Sequence, residues 1–190
     1  MNHKDHNLDK VTFGFWVYLM SDCVLFAGLF ATYAVLHTAT FGALSAGDIV
    51  DVPYVLLETL LLLTSSFTMG LAWLLSRKGK TAAVMIALVA TLVLGLGFLA
   101  MEANEFMHLI AEGAGPDRSA FLSSFFTLLG VHGAHVAAGA VWMLVLMAHI
   151  LIKGFTAGTT RKLASLALFW HFLDIVWIFI FTFVYLFALI

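Results

Sequence analysis

The sequence predicts an all-α integral membrane protein with five transmembrane helices. Hydrophobic residues occupy 63% of its 190 positions and charged residues only 11%, whereas soluble domains carry about 25% charged residues. A membrane-spanning helix needs about 20 predominantly apolar residues. Five stretches reach this length, at 13–37, 53–76, 81–108, 120–152 and 163–189. We therefore expect a single membrane domain over residues 1–190.

The ends of these spans carry ordinary helix signals. The first apolar run follows a polar start and shows no cleavage pattern, so we expect it to be retained. Its Cys23 is the only cysteine, which excludes a disulfide framework and a cysteine-rich metal site. Asp51 before Pro53 is typical of an N-cap followed by a first-turn proline. Further turn residues lie at Gly79, in GAGPDRS (113–119) and in TAGTT (156–160).

Basic residues are distributed unevenly between the two sides of the membrane. Eight of the nine Lys and Arg residues fall on the side of the N-terminus: Lys4, Lys10, Arg77, Lys78, Lys80, Lys153, Arg161 and Lys162. Only Arg118 falls on the other side. Because cytoplasmic loops are enriched in Lys and Arg, we predict a cytoplasmic N-terminus and a periplasmic C-terminus.

Titratable residues inside the spans are the candidate functional residues: Asp22, Glu58, Glu102, His132, His135, His171 and Asp174. A charge at the centre of a membrane helix costs about 2.5–3.5 kcal/mol on insertion scales. We therefore expect the acids to face the bundle interior, where they are protonated or paired. Residues three apart share a helix face, so His132 can act with His135 and His171 with Asp174.

The histidine pairs are interpreted first as structural. His171 and Asp174 are expected to form a hydrogen-bonded pair that fixes helix packing. His132 and His135 are expected to be packed, hydrogen-bonded imidazoles, because a seam of small residues surrounds them and allows close helix contact. The seam consists of Gly130, Gly133, Ala134, Ala137, Ala138 and Gly139.

Asp22, Glu58 and Glu102 are the candidates for a role in proton handling. No basic residue or histidine lies within one turn of Asp22, so its partner must come from another helix, or the acid must be protonated. Glu58 also needs a partner or a proton, but it lies nearer the membrane surface. A packing or lipid-facing polar role is therefore favoured for it.

Two metal-site interpretations are weaker. Glu105 and His108 form the Glu-x-x-His step of di-iron bundles, but those sites need a second such step and the chain has none. A haem held between His132 or His135 and His171 is not excluded by spacing.

Four stretches carry a family resemblance: FGFWVYLMSDCVLFAGLFATYAVL (13–36), FLAMEANEFMHLI, GPDRSAFLSSFFTLLGVHGAHVAAG and FWHFLDIVWIFIFTFVYL. They resemble subunit III of the haem-copper terminal oxidases, from about residue 11 to 188. The most specific parts are the His-Gly-x-His step and the Trp-His-Phe-x-Asp-x-Val-Trp string. YLMSDC and GPDRSAF look most like the bacterial cytochrome bo-type ubiquinol oxidase version.

The resemblance implies an accessory, non-catalytic subunit of an oxidase in the bacterial cytoplasmic membrane. Such a subunit binds no haem or copper itself. Haem b, haem o, copper and ubiquinol are expected in partner subunits, with subunit I as the main contact and subunits II and IV in the same complex. The complex oxidises ubiquinol, reduces oxygen to water and pumps protons. Subunit III holds phospholipid in a V-shaped cleft and is associated with assembly, oxygen access and sustained proton uptake.

The family's buried polar residues can be carried onto this chain one by one. The carboxyl of the first shared helix matches Asp22 and the glutamate of MEANE matches Glu102. The paired residues match His132, His135, His171 and Asp174. Many cytochrome c oxidase relatives have two more N-terminal helices and Glu in place of Asp22, and Glu58 has no family-wide counterpart.

Three classes of function remain open on the sequence. The first is the accessory oxidase subunit, of the ubiquinol type or, alternatively, of the cytochrome c type. The second is a proton-coupled channel or carrier, suggested by Asp22 and Glu58. Because Pro53 and Pro116 fall at span ends, no span looks like the broken midplane helices of many transporters. The third is a membrane metalloenzyme.

Overall fold

The structure, a computed structural model, describes residues 3–40 and 51–187, apart from the side chains of residues 3–12 and of Ala157. Within these ranges the chain is helical and has no strand. The helices are α1 (His3–Leu36), α2 (Val52–Ser76), α3 (Thr81–Ala111), α4 (Ala120–Lys153) and α5 (Ala157–Ile180), and α5 continues into a π-helical segment (Phe181–Leu186). Each of the five contains a stretch that is long and apolar enough to cross a membrane. The all-α, five-span prediction is confirmed.

Helix boundaries follow the predicted spans closely, with two differences. Helix α1 begins at His3, well before its apolar span starts at Phe13. The fifth span begins at Gly158 and not at residue 163, because Thr156 and Thr159 form a capping box that starts the helix early. The last predicted positions of that span, 188 and 189, lie outside the described residues, as do the side chains of Lys4 and Lys10.

The predicted turn chemistry is confirmed at the helix ends. The Asp51 carboxylate accepts a hydrogen bond from the backbone N–H of Tyr54 at 3.5 Å, and Pro53 lies in the first turn of α2. Ser119 accepts from the backbone N–H of Leu122 at 3.1 Å at the start of α4. Gly79 has φ of 69°, so the short α2–α3 turn uses a conformation that favours glycine.

Four helices form the centre of the bundle, and α1 packs at its side. Helices α2 and α3 make the most extensive contact, α5 packs against α2 and α4, and α4 also contacts α3. Helix α1 rests mainly on α4 and touches α5 only slightly. It buries one narrow stripe, Leu19, Asp22, Phe26 and Tyr33, whose spacing places these residues on one helical face.

Two tryptophans of α5 occupy the core and donate hydrogen bonds to α2. The indole Nε1–H of Trp170 donates to Ser65 Oγ at 3.0 Å, and that of Trp177 donates to Thr59 Oγ1 at 3.0 Å. All four residues are buried. Small hydroxyl side chains of α2 therefore satisfy the polar atoms of the two largest core residues.

Glycines of α3 and α4 make room for this tryptophan layer. A Cβ at Gly95 would lie 2.8 Å from the Trp170 ring, and one at Gly139 would lie 3.1 Å from it. The small-residue seam of α4 thus holds through its glycines, whereas Ala134 and Ala138 are exposed. At these two alanines the predicted seam makes no close contact within the described residues, because their side chains are exposed.

The end of α5 changes from α-helical to π-helical geometry at Phe181. The Phe187 N–H bonds to the carbonyl of Thr182, five residues earlier, and the Thr182 hydroxyl donates to the Ile178 carbonyl at 2.8 Å. Val184 and Tyr185 are both buried in this segment. Single π-helical turns are frequent at functional sites, and this one directs Tyr185 into the bundle.

Candidate functional site

Asp22 of α1 meets His135 of α4 across the helix interface. His135 Nε2 lies 3.8 Å from Asp22 Oδ1, and only 6% of Asp22 is exposed. The structure thus supplies the partner from another helix that the sequence required. His135 Nδ1–H donates to the Val131 carbonyl at 2.7 Å, so Nε2 carries a proton only when the ring is charged. The pair can therefore hold one proton, either on the carboxyl or as an imidazolium beside a carboxylate.

His132 lies in an aromatic enclosure and makes no hydrogen bond. It is fully buried, and neither ring nitrogen has a partner among the described residues. Its ring stacks on Trp177 with centroids 5.3 Å apart and meets the edge of Phe98 at 5.9 Å. The prediction of a hydrogen-bonded imidazole is therefore wrong for His132, whose neighbours from α3 and α5 are aromatic rings. For His135 the prediction is confirmed, because its Nδ1 bonds to the Val131 carbonyl.

Ser66 of α2 joins His171 and Asp174. The Ser66 hydroxyl lies 2.7 Å from His171 Nδ1. Ser66 and His171 both interact electrostatically with the Asp174 carboxyl. Among the described residues no direct hydrogen bond joins His171 and Asp174, and the hydrogen bond of His171 Nδ1 goes to Ser66 instead. The pair thus fixes α5 to α2, as a structural role requires.

The Ser66 bridge borders a groove on the surface of α2 and α5. The groove has a volume of about 390 Å³ and is otherwise apolar, lined by Leu63, Phe67, Gly70, Leu71 and Leu74. Asp174 Oδ1 has no hydrogen-bond partner among the described residues. Ser66 and Asp174 lie near the middle of their spans, so this polar spot falls at the depth of hydrocarbon.

Glu58 and Glu102 lie in the interior of the bundle. Glu58 has no exposed surface, and only 4% of Glu102 is exposed. The sequence favoured either a packing role or a lipid-facing role for Glu58. The lipid-facing role is wrong, because Glu58 is fully buried on a helix that packs against α3 and the π-helical segment. Glu102 rests on Gly133 of α4, where a Cβ would lie 3.0 Å from the Glu102 Cδ atom.

Glu105 and His108 point in different directions. Glu105 accepts hydrogen bonds from the Tyr185 hydroxyl, whereas the His108 side chain is 70% exposed and lies 3.7 Å from Glu112. In the ranges that the structure describes, no group of three or more His, Cys, Asp or Glu residues could hold a metal ion. The Glu-x-x-His step therefore does not form a ligand pair here.

A second groove, of about 610 Å³, lies between α1 and the end of α5. Its α1 wall contains the small residues Ala27, Ala31 and Ala34, and His37 lies at its edge. Its other wall is a ladder of parallel rings, in which Phe183 stacks on Phe179 at 5.9 Å and on Phe187 at 5.6 Å. The groove is long, apolar and aromatic.

Sequence reasoning missed three polar residues that organise these sites. Ser66 and Thr59 lie among leucines of α2, and Tyr185 lies in the aromatic end of the fifth span. Small hydroxyl residues often bond across membrane helices, which is the signal that could have identified Ser66 and Thr59. For Tyr185 the signal is weaker, because only the π-helical turn directs it inward.

The chain is similar to known proteins over almost its whole length. The family model described as cytochrome c oxidase subunit III matches residues 2–189. The cytochrome bo(3) ubiquinol oxidase subunit 3 of Pseudomonas aeruginosa is 58% identical over 185 residues, covering 97% of this chain and 88% of the relative. The chain belongs to the cytochrome c oxidase subunit III family. The resemblance seen in the sequence is thereby confirmed.

Further relatives extend the similarity to other bacteria. The protein of the same name from Pseudomonas putida is 53% identical, covering 95% of this chain and 88% of the relative. A quinol oxidase subunit 3 from Bacillus subtilis is 46% identical, covering 93% and 86%. Family membership and the five spans make the chain a multi-pass protein of the bacterial inner membrane. As a subunit III it works with the catalytic subunit of a haem-copper oxidase, and the redox cofactors lie in other subunits.

Proposed function

We propose that this chain is the accessory subunit III of a proton-pumping ubiquinol oxidase of the aerobic respiratory chain. In this role it supports assembly, bound lipid, oxygen access and sustained proton uptake by catalytic subunit I, beside subunits II and IV. The observation that carries the proposal is the 58% identity to a subunit named for ubiquinol oxidase over 97% of this chain. The cytochrome c type stays the second candidate, because the family model is described by that donor.

Purification through a tag on this chain tests the proposal. We expect a haem-bearing catalytic subunit to co-purify and the complex to consume oxygen with ubiquinol but not with reduced cytochrome c. An untagged preparation controls for carry-over. Oxidation of cytochrome c alone would favour the second candidate, and a preparation without haem would contradict both.

A stand-alone proton-coupled carrier has little support from the helix geometry. In the described part of the spans, the α-helical pattern changes only at the π-helical end of α5. Carriers often bind substrate at broken helices near the bilayer midplane. Proton movement by the chain alone in reconstituted vesicles would nevertheless overturn the accessory role.

The cytoplasmic N-terminus can be tested by labelling. In a Cys23→Ser background, Lys78→Cys should react with a membrane-impermeant maleimide only from the cytoplasmic side, and Asp117→Cys only from the periplasmic side. Both positions are exposed and lie in opposite connections. The reverse pattern would contradict the orientation that the Lys and Arg distribution predicts.

The groove between α1 and α5 is the proposed lipid cleft. Its small α1 residues leave room for an acyl chain, and its stacked phenylalanines offer apolar surface to one. We expect Ala31→Trp, which fills the groove, to lower the phospholipid retained by the purified complex. Val35→Trp is the matched control, because Val35 lies on the same helix, is 77% exposed and does not line the groove. Equal lipid retention in both variants would contradict this assignment.

The groove beside the Ser66 bridge is the proposed contact with the catalytic subunit. His171 and Asp174 both line this otherwise apolar groove. Lipid hydrocarbon cannot hydrogen-bond polar groups at membrane depth, whereas a helix of the catalytic subunit that presents a hydroxyl or amide can. Asp174 and His171 would then stabilise the subunit interface as well as the α2–α5 contact. This assignment agrees with a structural role for both residues.

The Asp22–His135 pair is the proposed link to sustained proton uptake. Its carboxyl and imidazole can hold one proton between them, and α1, which carries the carboxyl, is the most peripheral helix. The pair thus lies near the side of the bundle, and we propose that it exchanges a proton with the rest of the complex.

A further inference from the structure

A cluster of three glutamates and one tyrosine, buried except for the partly exposed Glu105, lies towards the end of the bundle where α2 begins. Glu58 of α2, Glu102 and Glu105 of α3, and Tyr185 of the π-helical segment interact electrostatically with one another. Glu58, Glu102 and Tyr185 are between 0% and 4% exposed. We call these four residues the glutamate–tyrosine cluster. It is separate from the Asp22–His135 pair, which lies between α1 and α4.

The three carboxyl groups differ in their hydrogen bonds. The Tyr185 hydroxyl lies 3.1 Å and 3.3 Å from the two carboxyl oxygens of Glu105 and donates to them. Both oxygens of Glu58 and Oε1 of Glu102 are buried and have no partner among the described residues. Tyr185 therefore stabilises Glu105 as a carboxylate, whereas the interior carboxyls lack a donor.

Charge balance requires something to neutralise the two interior carboxyls. No Lys or Arg pairs with these three glutamates in the described part of the chain. A buried carboxylate without a partner is so costly that such groups normally bind a proton instead. Two further negative charges near Glu105 would add repulsion.

Glu58 supports the same conclusion independently of the two glutamates on α3. It comes from another helix, it has no exposed surface, and it interacts electrostatically with both Glu102 and Glu105. Among the described residues, neither oxygen of the Glu58 carboxyl has a hydrogen-bond partner. The described residues do not form a metal-ligand group here, so the ligand that fits is the proton.

We propose that the glutamate–tyrosine cluster is a proton-storage site in which Glu58 and Glu102 are neutral acids and Glu105 is the carboxylate. A stored proton moves when the O–H bond of an interior acid breaks and an O–H bond to Glu105 forms. The carboxylate then resides on the donor. Glu105 is the point of exchange with water, because it is the only one of the three glutamates that is partly exposed.

Infrared difference spectroscopy of the purified complex tests this proposal directly. Subtracting the spectrum of Glu58→Gln or Glu102→Gln from that of the wild type should reveal one lost C=O stretch of a protonated carboxylic acid per variant. Each lost band should shift in D₂O, because the stored proton exchanges. Glu112→Gln is the control, since Glu112 ends α3 in an exposed position and should lose only carboxylate bands.

Tyr185→Phe probes the division of roles within the cluster. Without its hydroxyl donor, Glu105 should take up a proton, and a new carboxylic acid band should appear that is absent from the Tyr185→Phe/Glu105→Gln double variant. An unchanged haem spectrum and the presence of all subunits establish that the variants are assembled. Loss of carboxylate bands alone in Glu58→Gln and Glu102→Gln would overturn the proposal. Loss of the acid bands when Ca²⁺ is added to the wild type would also overturn it, in favour of a metal site.

Discussion

Asp22 and Glu58 are both buried acids inside membrane helices, yet their surroundings differ. Asp22 lies on the peripheral helix α1 and meets an imidazole of α4 at 3.8 Å. Glu58 lies between α2, α3 and the π-helical segment, and its nearest titratable neighbours are two more acids and a tyrosine. The first site can share one proton between an acid and a base. The second can be neutral only by binding protons itself.

The difference follows from how tightly the two regions are packed. From residue 13 onward, where its side chains are described, helix α1 buries a single stripe, and a Cβ at Gly28 would meet nothing within 4 Å. In the central bundle, a Cβ added at Gly95 would lie only 2.8 Å from the Trp170 ring. A loose contact leaves room for a polar partner to enter, whereas a tight one has to satisfy its polar atoms with what the neighbouring helices provide.

The largest effect is expected from variants that test the difference in packing between the two regions. Gly95→Leu should destabilise the subunit by about 1–3 kcal/mol or more, because the added side chain overlaps the Trp170 ring. Gly28→Leu, the matched variant on α1, should be tolerated. The measurement is the thermal stability of the purified complex and the amount of this subunit in it. Equal losses in both variants would show that α1 is packed as tightly as the core.

The next effect concerns the Ser66 bridge. Asp174→Leu should loosen this subunit from the complex about tenfold, because an apolar group replaces a carboxyl that interacts with Ser66 and His171 and lines the groove. Retention of the subunit during detergent washing measures it. Asp174→Asn keeps a hydrogen-bonding group and should retain most of the association. Full retention of Asp174→Leu with unchanged turnover would count against the proposed interface.

A functional effect without loss of the subunit is expected at the Asp22–His135 pair. Asp22→Ala should leave the initial rate of oxygen consumption nearly intact but shorten the period of sustained turnover or lower the number of protons pumped. His135→Gln should behave in the same way, because each variant leaves only half of a proton-sharing pair. Oxygen consumption and proton release are followed over repeated turnovers. An immediate, total loss of activity would instead indicate a direct catalytic part for Asp22.

The sequence was sufficient to predict the spans, the Asp51 cap and the inward-facing positions of Asp22 and Glu102. These features depend on local patterns: apolar length, turn residues, and the cost of a charge in hydrocarbon. It also predicted that the partner of Asp22 would come from another helix, but it could not identify His135. Which residues meet across helices depends on rotation and depth, and a sequence pattern fixes neither to within one side chain.

The same limit explains the errors. His171 and Asp174 share a helix face, so a direct bond was the simplest expectation, but His171 Nδ1 bonds to Ser66 of α2. His132 was expected to have a hydrogen bond because buried polar groups usually do. Its neighbours Trp177 and Phe98 come from two other helices, and only the fold shows that they leave no donor or acceptor beside it.

The smallest effect is expected at a hydrogen bond between two neutral side chains, in contrast to the titratable sites compared above. Trp177→Phe removes the Nε1–H that donates to Thr59 while keeping a ring beside His132. Side-chain hydrogen bonds between membrane helices average about 0.6 kcal/mol and reach about 1.7 kcal/mol. A double-mutant cycle with Thr59→Val should therefore give a coupling free energy in that range, measured by unfolding of the complex. A coupling free energy well above this range would mean that the bond between Trp177 and Thr59 also positions Glu58, which precedes Thr59 in the sequence. The glutamate–tyrosine cluster would then depend on this bond.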